Sequence, residues 1–377
     1  MTLFTPLRLR TVEIPNRVVV SPMSQYRAQN GYANDWHLVH LGRFALGGAG
    51  LVFCEATAVE ARGRRTHGDL GLWCDSQVPP LARVTQFLAR EGAVPGIQLA
   101  HAGRKASERR PWHGETPVDA EDLDTRGEAP WEAIAPSPLP YADGWPAPSA
   151  MSVQDIADVL QAFRDAATRA LAAGFQVIEV YAAHGFLVHQ FCSPLANRRA
   201  DTYGGDFPRR VRFAREVARA IRETWPAELP LMFRLSITDW HPDGWQLDDT
   251  VALARLLRKD GVDAIDCSSG GISGRERPQG MVLAHGYQLE LARRVREGAD
   301  IPTIGVGFLW DPVRMEAALQ GGQADLLAIA RELLDDPNWP LHAARSLGVD
   351  AAHARWKPEF GWWLEKRARA RRKLGLD

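Results

Sequence analysis

Residues 152–183 read SVQDIADVLQAFRDAATRALAAGFQVIEVYAA, and this stretch decides the fold. Ser152 followed by Asp155 opens a capping-box pattern. Ile156, Val159, Leu160, Phe163, Ala167, Ala170 and Leu171 supply one apolar face of a helix, and Gly174 can close it in the left-handed conformation. The run at 175–183 starts at once and is nearly continuous in apolar residues, as a parallel strand buried on both faces must be. Seven more runs of this kind lie at 17–21, 51–59, 94–101, 230–237, 264–269, 302–308 and 325–330. A turn and a stretch of helical spacing follow each of them. Eight alternations predict an α/β fold of the (β/α)8 TIM-barrel type, because open doubly wound sheets usually have fewer strands. At ~150 residues per domain, 377 residues would suggest two or three domains, but a barrel of this size predicts a single domain over 1–377.

One region breaks the rhythm. Between 102 and 150 lie Pro111, Pro117, Pro130, Pro136, Pro138, Pro140, Pro146 and Pro148, with Trp112, Trp131 and Trp145. So many prolines predict an irregular, helix-free excursion over the barrel mouth after the third strand, where loops carry function. The composition is globular, with 45% apolar and 24% charged residues, and this argues against disorder. Forty-five Lys and Arg against forty-six Asp and Glu leave a formal charge of -1, so no nucleic-acid or anionic-membrane partner is expected. The basic cluster Lys366, Arg367, Arg369, Arg371, Arg372 and Lys373 reads as a solvated helix face or tail. Cys54, Cys74, Cys192 and Cys267 have no Cys-x-x-Cys spacing, so neither a zinc site nor a redox pair is expected. Prolines and arginines interrupt the N-terminus before any apolar run develops, and no stretch reaches the ~18 apolar residues of a membrane span. A cytoplasmic protein is the expectation.

Barrel enzymes react at the C-terminal ends of their strands and often hold a phosphate near the seventh and eighth. Gly305, Gly307, Ala330 and Arg331 lie there, combining small residues that let backbone N–H groups approach an anion with a guanidinium that can pair with phosphate. Gln98 offers an amide donor and acceptor, Arg234 a fixed positive charge and Ser24 a hydroxyl, a set suited to a flat heterocycle whose reduced form is anionic. The strand ends carry no acidic cluster for a metal and the strands no lysine for a Schiff base, so no metal is expected.

Several stretches carry a family resemblance. They are NRVVVSPMSQY at 16–26, EATAV at 55–59, QLAHAGRK at 98–105, AAHGFLVHQFCSPLANRRADTYGG at 182–205, RLS at 234–236 and ARELLDDP at 330–337. In these the chain resembles the old yellow enzyme family of FMN-dependent ene-reductases, in particular its bacterial, thermophilic-like subgroup. The resemblance implies FMN as cofactor and NAD(P)H as reductant. Ser21, Pro22, Met23 and Ser24 would line the flavin near its reactive edge, Ala56 and Gln98 would meet its pyrimidine, Arg234 would stabilise charge at N1, and Gly307, Ala330 and Arg331 would hold the phosphate. It further implies a ping-pong reaction in which an alkene conjugated to a carbonyl or nitro group is reduced. A histidine pair would polarise the acceptor oxygen and a tyrosine would give a proton to the α carbon.

Three positions depart from the subgroup. Ser24 stands where it usually has a cysteine, Tyr181 replaces the first histidine of the pair and leaves His184 as the second, and Phe186 occupies the place of the proton-donating tyrosine. Tyr181, His184 and Tyr26 are therefore the expected catalytic residues, with Phe186 as an apolar wall of the substrate pocket. Tyr181, Tyr26 or water could supply the proton. A flavin-dependent double-bond isomerase, a dehydrogenating variant and a catalytically silent flavin-binding protein remain as alternatives. The tail from 358 resembles the family's C-terminal segment. Trp362 or Trp363 would either wall a partner subunit's pocket or anchor the last helix on the barrel, and a homo-oligomer, dimer or tetramer, is expected.

Overall fold

A computed structural model describes residues 1–274 and 281–376. All eight apolar runs are strands: β1 Val18–Val20, β2 Leu51–Ala58, β3 Val94–Ala100, β4 Val177–Ala182, β5 Leu231–Ser236, β6 Ala264–Ser268, β7 Thr303–Gly305 and β8 Leu326–Ile329. Each pairs in parallel with the next, and β8 returns to β1 with Leu327 opposite Val18 and Ile329 opposite Val20. The sheet is closed, so no strand of the barrel has a free edge. Helices pack outside: α1 Asp35–Leu46, α2 Val78–Arg90, α3 Val153–Ala172, α4 Arg212–Arg222, α5 Leu247–Lys259, α6 Leu289–Ala299, α7 Pro312–Gln320 and α8 Trp339–Ser346.

The start and stop signals of α3 act as the sequence predicts. The Ser152 hydroxyl accepts from the backbone N–H of Asp155, and Gly174 sits at φ +83° just past the helix. The apolar face differs at its edge: Ala166 is buried with Ile156, Val159, Phe163, Ala167 and Ala170, whereas Leu171 is 38% exposed. At 100° per residue Leu171 turns out past Ala170, beyond the reach of the barrel wall.

Inside the barrel, side chains stack in layers because alternate strand residues face inward. The lowest layer is apolar and includes Val19, Phe53, Val177, Met232, Ala264 and Ile304. An antiparallel hairpin, Leu7–Leu9 with Val12–Ile14, covers that layer from below with Leu9, Val12 and Ile14. Two residues further along their strands, Glu179 and Arg234 begin a buried polar layer with Asp266 and Gln98, and the mouth opens above it.

The insertion at 102–150 is irregular, but it is not helix-free. Helix Ala120–Arg126 forms where residues 118–129 lack proline, and Asp119 caps it by accepting from the N–H groups of Glu121 and Asp122. The C-terminal helix α9, Pro358–Lys373, carries the basic cluster on solvent-facing turns, as the solvated reading required. Trp362 and Trp363 are 55% and 64% exposed on it, and Trp363 borders a groove shared with Arg43 and Leu46 of α1. All four cysteines are free thiols. Among the described residues no helix is long and apolar enough to cross a membrane, and no group of three or more His, Cys, Asp or Glu could hold a metal.

Candidate active site

The expected site residues converge at the C-terminal end of the barrel, drawn from strands far apart in sequence. Ser21 ends β1 and accepts a hydrogen bond from Arg234 Nη1 of β5 at 3.0 Å. Gln98 of β3 lies in register between Ala56 of β2 and Glu179 of β4. The register of β2 slips between Cys54 and Ala56, a bulge that accommodates Glu55. From there the Glu55 carboxylate accepts from the backbone N–H of Gln25 and meets His37 Nε2 of α1 at 3.0 Å. The loop that carries Pro22, Met23, Ser24 and Tyr26 is thus tied to β2 and α1 from beneath. Ser24 itself is half-buried in that loop.

At the other end of the mouth, β7 and β8 border a groove of about 380 Å³. Its lining includes Ser21, Arg234, Gly307, Ala330 and Arg331, so ring-binding and phosphate-binding candidates share one cavity. Gly307 has φ +114°, and a Cβ there would come within 3.0 Å of the Tyr287 ring. No other residue fits that position without strain. The Arg331 guanidinium is exposed and lies 4.7 Å from the Phe308 ring, free to turn to an anion.

Between these regions stands a phenol and imidazole pair. Tyr181 Oη is 2.9 Å from His184 Nδ1, and His184 Nε2 is 2.6 Å from Ser268 Oγ. Tyr181 stacks on Phe186 with centroids 4.0 Å apart. His184 adopts φ +54°; its N–H donates to Ser236 Oγ at 2.8 Å, and Ser236 in turn donates to Gly270 O. A Cβ on Gly271 would approach His184 Cα to 2.7 Å, so the Gly-Gly turn after β6 has to be bare for the histidine loop to settle against it. Burial, reinforced by Arg234 and Lys105, pushes His184 well below the ordinary histidine range, and the imidazole is neutral. A neutral ring bears one N–H. In the tautomer with the proton on Nδ1, Ser268 Oγ donates to Nε2 and Nδ1–H donates to Tyr181, which leaves the phenol O–H for a ligand; in the other, the phenol donates to Nδ1 and Nε2–H to Ser268.

Tyr26 flanks this pair at φ +55°. Arg65 Nη1 donates to its oxygen at 3.3 Å, and Trp112 of the insertion meets its ring edge-on at 5.7 Å. Burial raises the Tyr26 phenol far above its ordinary range, so it keeps its proton at any physiological pH. Lys105 donates to His184 O at 3.0 Å and sits 4.6 Å from the Tyr141 ring, with burial lowering its ammonium to about 7. Sequence reasoning missed Lys105, Arg65, Ser236 and Ser268. Ser236 and Ser268 had a usable signal, since each ends a strand already assigned. Lys105 closes the QLAHAGRK stretch and so was marked as well, whereas Arg65 lies in a loop and had no signal.

A groove that runs from the Gly307 turn and Arg331 to the Arg234 guanidinium suits a flavin mononucleotide and defines a flavin-dependent oxidoreductase on a barrel. Sequence comparison narrows that class. The profile of the NADH:flavin oxidoreductase / NADH oxidase family matches residues 2–349, and the chain belongs to this family. An NADPH dehydrogenase of Geobacillus sp. (strain WCH70) is 40% identical over 362 residues, 96% of this chain and 98% of the relative. An NADPH dehydrogenase of Bacillus cytotoxicus is 40% identical over 350 residues, 92% of this chain and 93% of the relative. Among solved structures, a morphinone reductase variant in complex with tetrahydroNAD superposes with a TM-score of 0.73 at 26% identity, covering 92% of this chain and 91% of that one. FMN is the cofactor and NAD(P)H the reductant. The residues suit that group: Arg234 Nε is buried without a hydrogen-bond partner at the ring end, and at the phosphate end Gly307 forms a turn that a Cβ would crowd.

Proposed function

We propose that the chain, as a single FMN-binding domain, reduces C=C bonds activated by a conjugated carbonyl or nitro group, at the expense of NAD(P)H. The observation that carries this reading is the Tyr181–His184–Ser268 chain, which fixes a phenol oxygen at the mouth beside a neutral imidazole and, with the His184 proton on Nδ1, frees the phenol O–H for a substrate oxygen. When bound, FMN would supply the transfer of hydride from NAD(P)H to the β carbon of the alkene. Ser21, Pro22, Met23 and Ser24 line the reactive edge. Gln98 and the Ala56 backbone would hold the pyrimidine, Arg234 would offer its charge to the ring, and Gly307, Ala330 and Arg331 would hold the phosphate. Tyr181 donates to the substrate oxygen and is held for that task by the neutral His184, so negative charge developing on the oxygen meets an oriented donor. Phe186 walls the pocket and keeps the Tyr181 ring flat against it. Tyr26, protonated and braced by Arg65, supplies the proton to the α carbon that a phenylalanine at 186 cannot give.

Anaerobic mixing tests the reading in two stages. NADPH should bleach the flavin, and a cyclic enone added afterwards should restore its colour with formation of the saturated ketone. Rapid bleaching with no reoxidation by any enone or nitroalkene would remove alkene reduction as the activity.

A further inference from the structure

Below the ring site, the polar layer of the barrel holds two carboxyl groups against one guanidinium. Glu179 of β4 and Asp266 of β6 stand on either side of Arg234 of β5, and the two acids are 0% and 1% exposed. Arg234 Nε lies 3.6 Å from Asp266 Oδ2, and Glu179 Oε1 accepts from Gln98 Nε2 at 2.7 Å. Three polar atoms of this cluster have no hydrogen-bond partner: Glu179 Oε2, Asp266 Oδ1 and Arg234 Nε. Among the described residues no further group compensates the two acids. Gln98 faces the pair from β3, Ser21 touches Arg234 from β1, the Tyr181 phenol and the neutral His184 lie above, and Val177, Met232 and Ala264 form the floor. Two ionised carboxylates here would leave a net negative charge in a dry interior, which keeping one proton on the pair removes. Burial, and for Glu179 the proximity of Asp266 as well, raises both acids above the usual carboxylate range.

We propose that Glu179 and Asp266 hold one proton between them and act as positioning residues that fix the charge Arg234 offers to the flavin pyrimidine. Glu179 has a second task in the same place. It takes the Gln98 amide N–H and so leaves the amide oxygen as the acceptor for the ring edge. The inference rests on the FMN reading of the groove, while the protonation of the pair can be read without it.

The test is a double-mutant cycle on the FMN-loaded protein, with the flavin midpoint potential as readout. In Glu179→Gln or Asp266→Asn the remaining acid ionises and the layer stays neutral. Each single variant should therefore keep the wild-type reduction equilibrium within about twofold. In the double variant Arg234 is unopposed and favours the reduced, more negative ring, so the equilibrium should move toward reduction at least tenfold, about 30 mV for a two-electron couple. Single variants that each raise the potential, with effects that add in the double, would mean two ionised carboxylates and would overturn the proposal. Infrared spectroscopy covers variants that fail to fold or to load. Wild-type protein should show a protonated-carboxyl band that is lost in the double variant, and its absence in wild type overturns the proposal. A colourless protein that takes up no FMN would sink the flavin reading, yet the same band would still report on the pair.

Discussion

At the scale of single residues, the proposed function gives two phenols two tasks. Replacing Tyr26 by Phe should slow the oxidative half-reaction by about a hundredfold, the low end of what a positioned general acid contributes, and leave reduction by NADPH unchanged. Stopped-flow absorbance of the two halves separates them, and an equal loss in both would assign Tyr26 a structural role. Tyr181→His combined with Phe186→Tyr should raise turnover on simple cyclic enones, since it restores a second imidazole donor and puts a phenol on the stacked ring. No gain with fold and flavin retained would mean that these two positions do not set the substrate preference. Gly307→Ala should weaken FMN binding at least tenfold, because at φ +114° a methyl group meets Tyr287; equilibrium dialysis measures it, and unchanged affinity would move the phosphate elsewhere.

At the scale of elements, Ser152→Ala should cost about 1 kcal/mol of stability through the lost cap of α3 and leave the flavin content alone. Urea denaturation followed by far-UV dichroism reads the first, and the flavin absorbance per chain reads the second. The strands were legible because barrel strands are buried on both faces and stand out as apolar runs between turns. Gln98 and Arg234 were legible as polar residues interrupting such runs. Glu179 and Asp266 interrupt them equally, in VIEVY and AIDCS, and share the layer of Gln98 and Arg234, but a carboxylate facing a ring that becomes anionic has no direct binding role, so the pattern gave them none. The bulge at Glu55 left no mark in the apolar pattern, since Cys54 and Ala56 are small and apolar on both sides of it. Helix Ala120–Arg126 did leave one, an Asp119-x-x-Asp122 cap inside a proline-free window, which the surrounding prolines masked.

At the scale of the whole molecule, buried ionisable groups tie stability to pH. His184 lies well below its ordinary value and His40 falls to about 4, through burial and the nearby Arg43. Unfolded histidines take up protons below about 6.5 while these folded ones do not, so stability rises with pH across that window and is lost on acidification. Asp69 opposes them, because burial raises it to about 6 and it gains protons on folding between its ordinary value and that pH. The shared proton of Glu179 and Asp266 acts in the same sense as Asp69, whereas His67 and His285, also lowered by burial, act with His184 and His40. Four histidines outweigh these acids, and the thermal midpoint of the apoprotein should be lower at pH 5 than at pH 7. A flat or inverted profile would contradict the neutral state assigned to His184.

The seam between β8 and β1 also governs how the molecule is made. Val18 waits for Leu327, 309 residues later in synthesis. At about 5–20 residues per second the first strand spends roughly 15–60 s with one backbone edge unpaired. A nascent chain in that interval offers a template for mispairing, so the yield of soluble protein should depend on translation speed and on chaperones that shield strand edges.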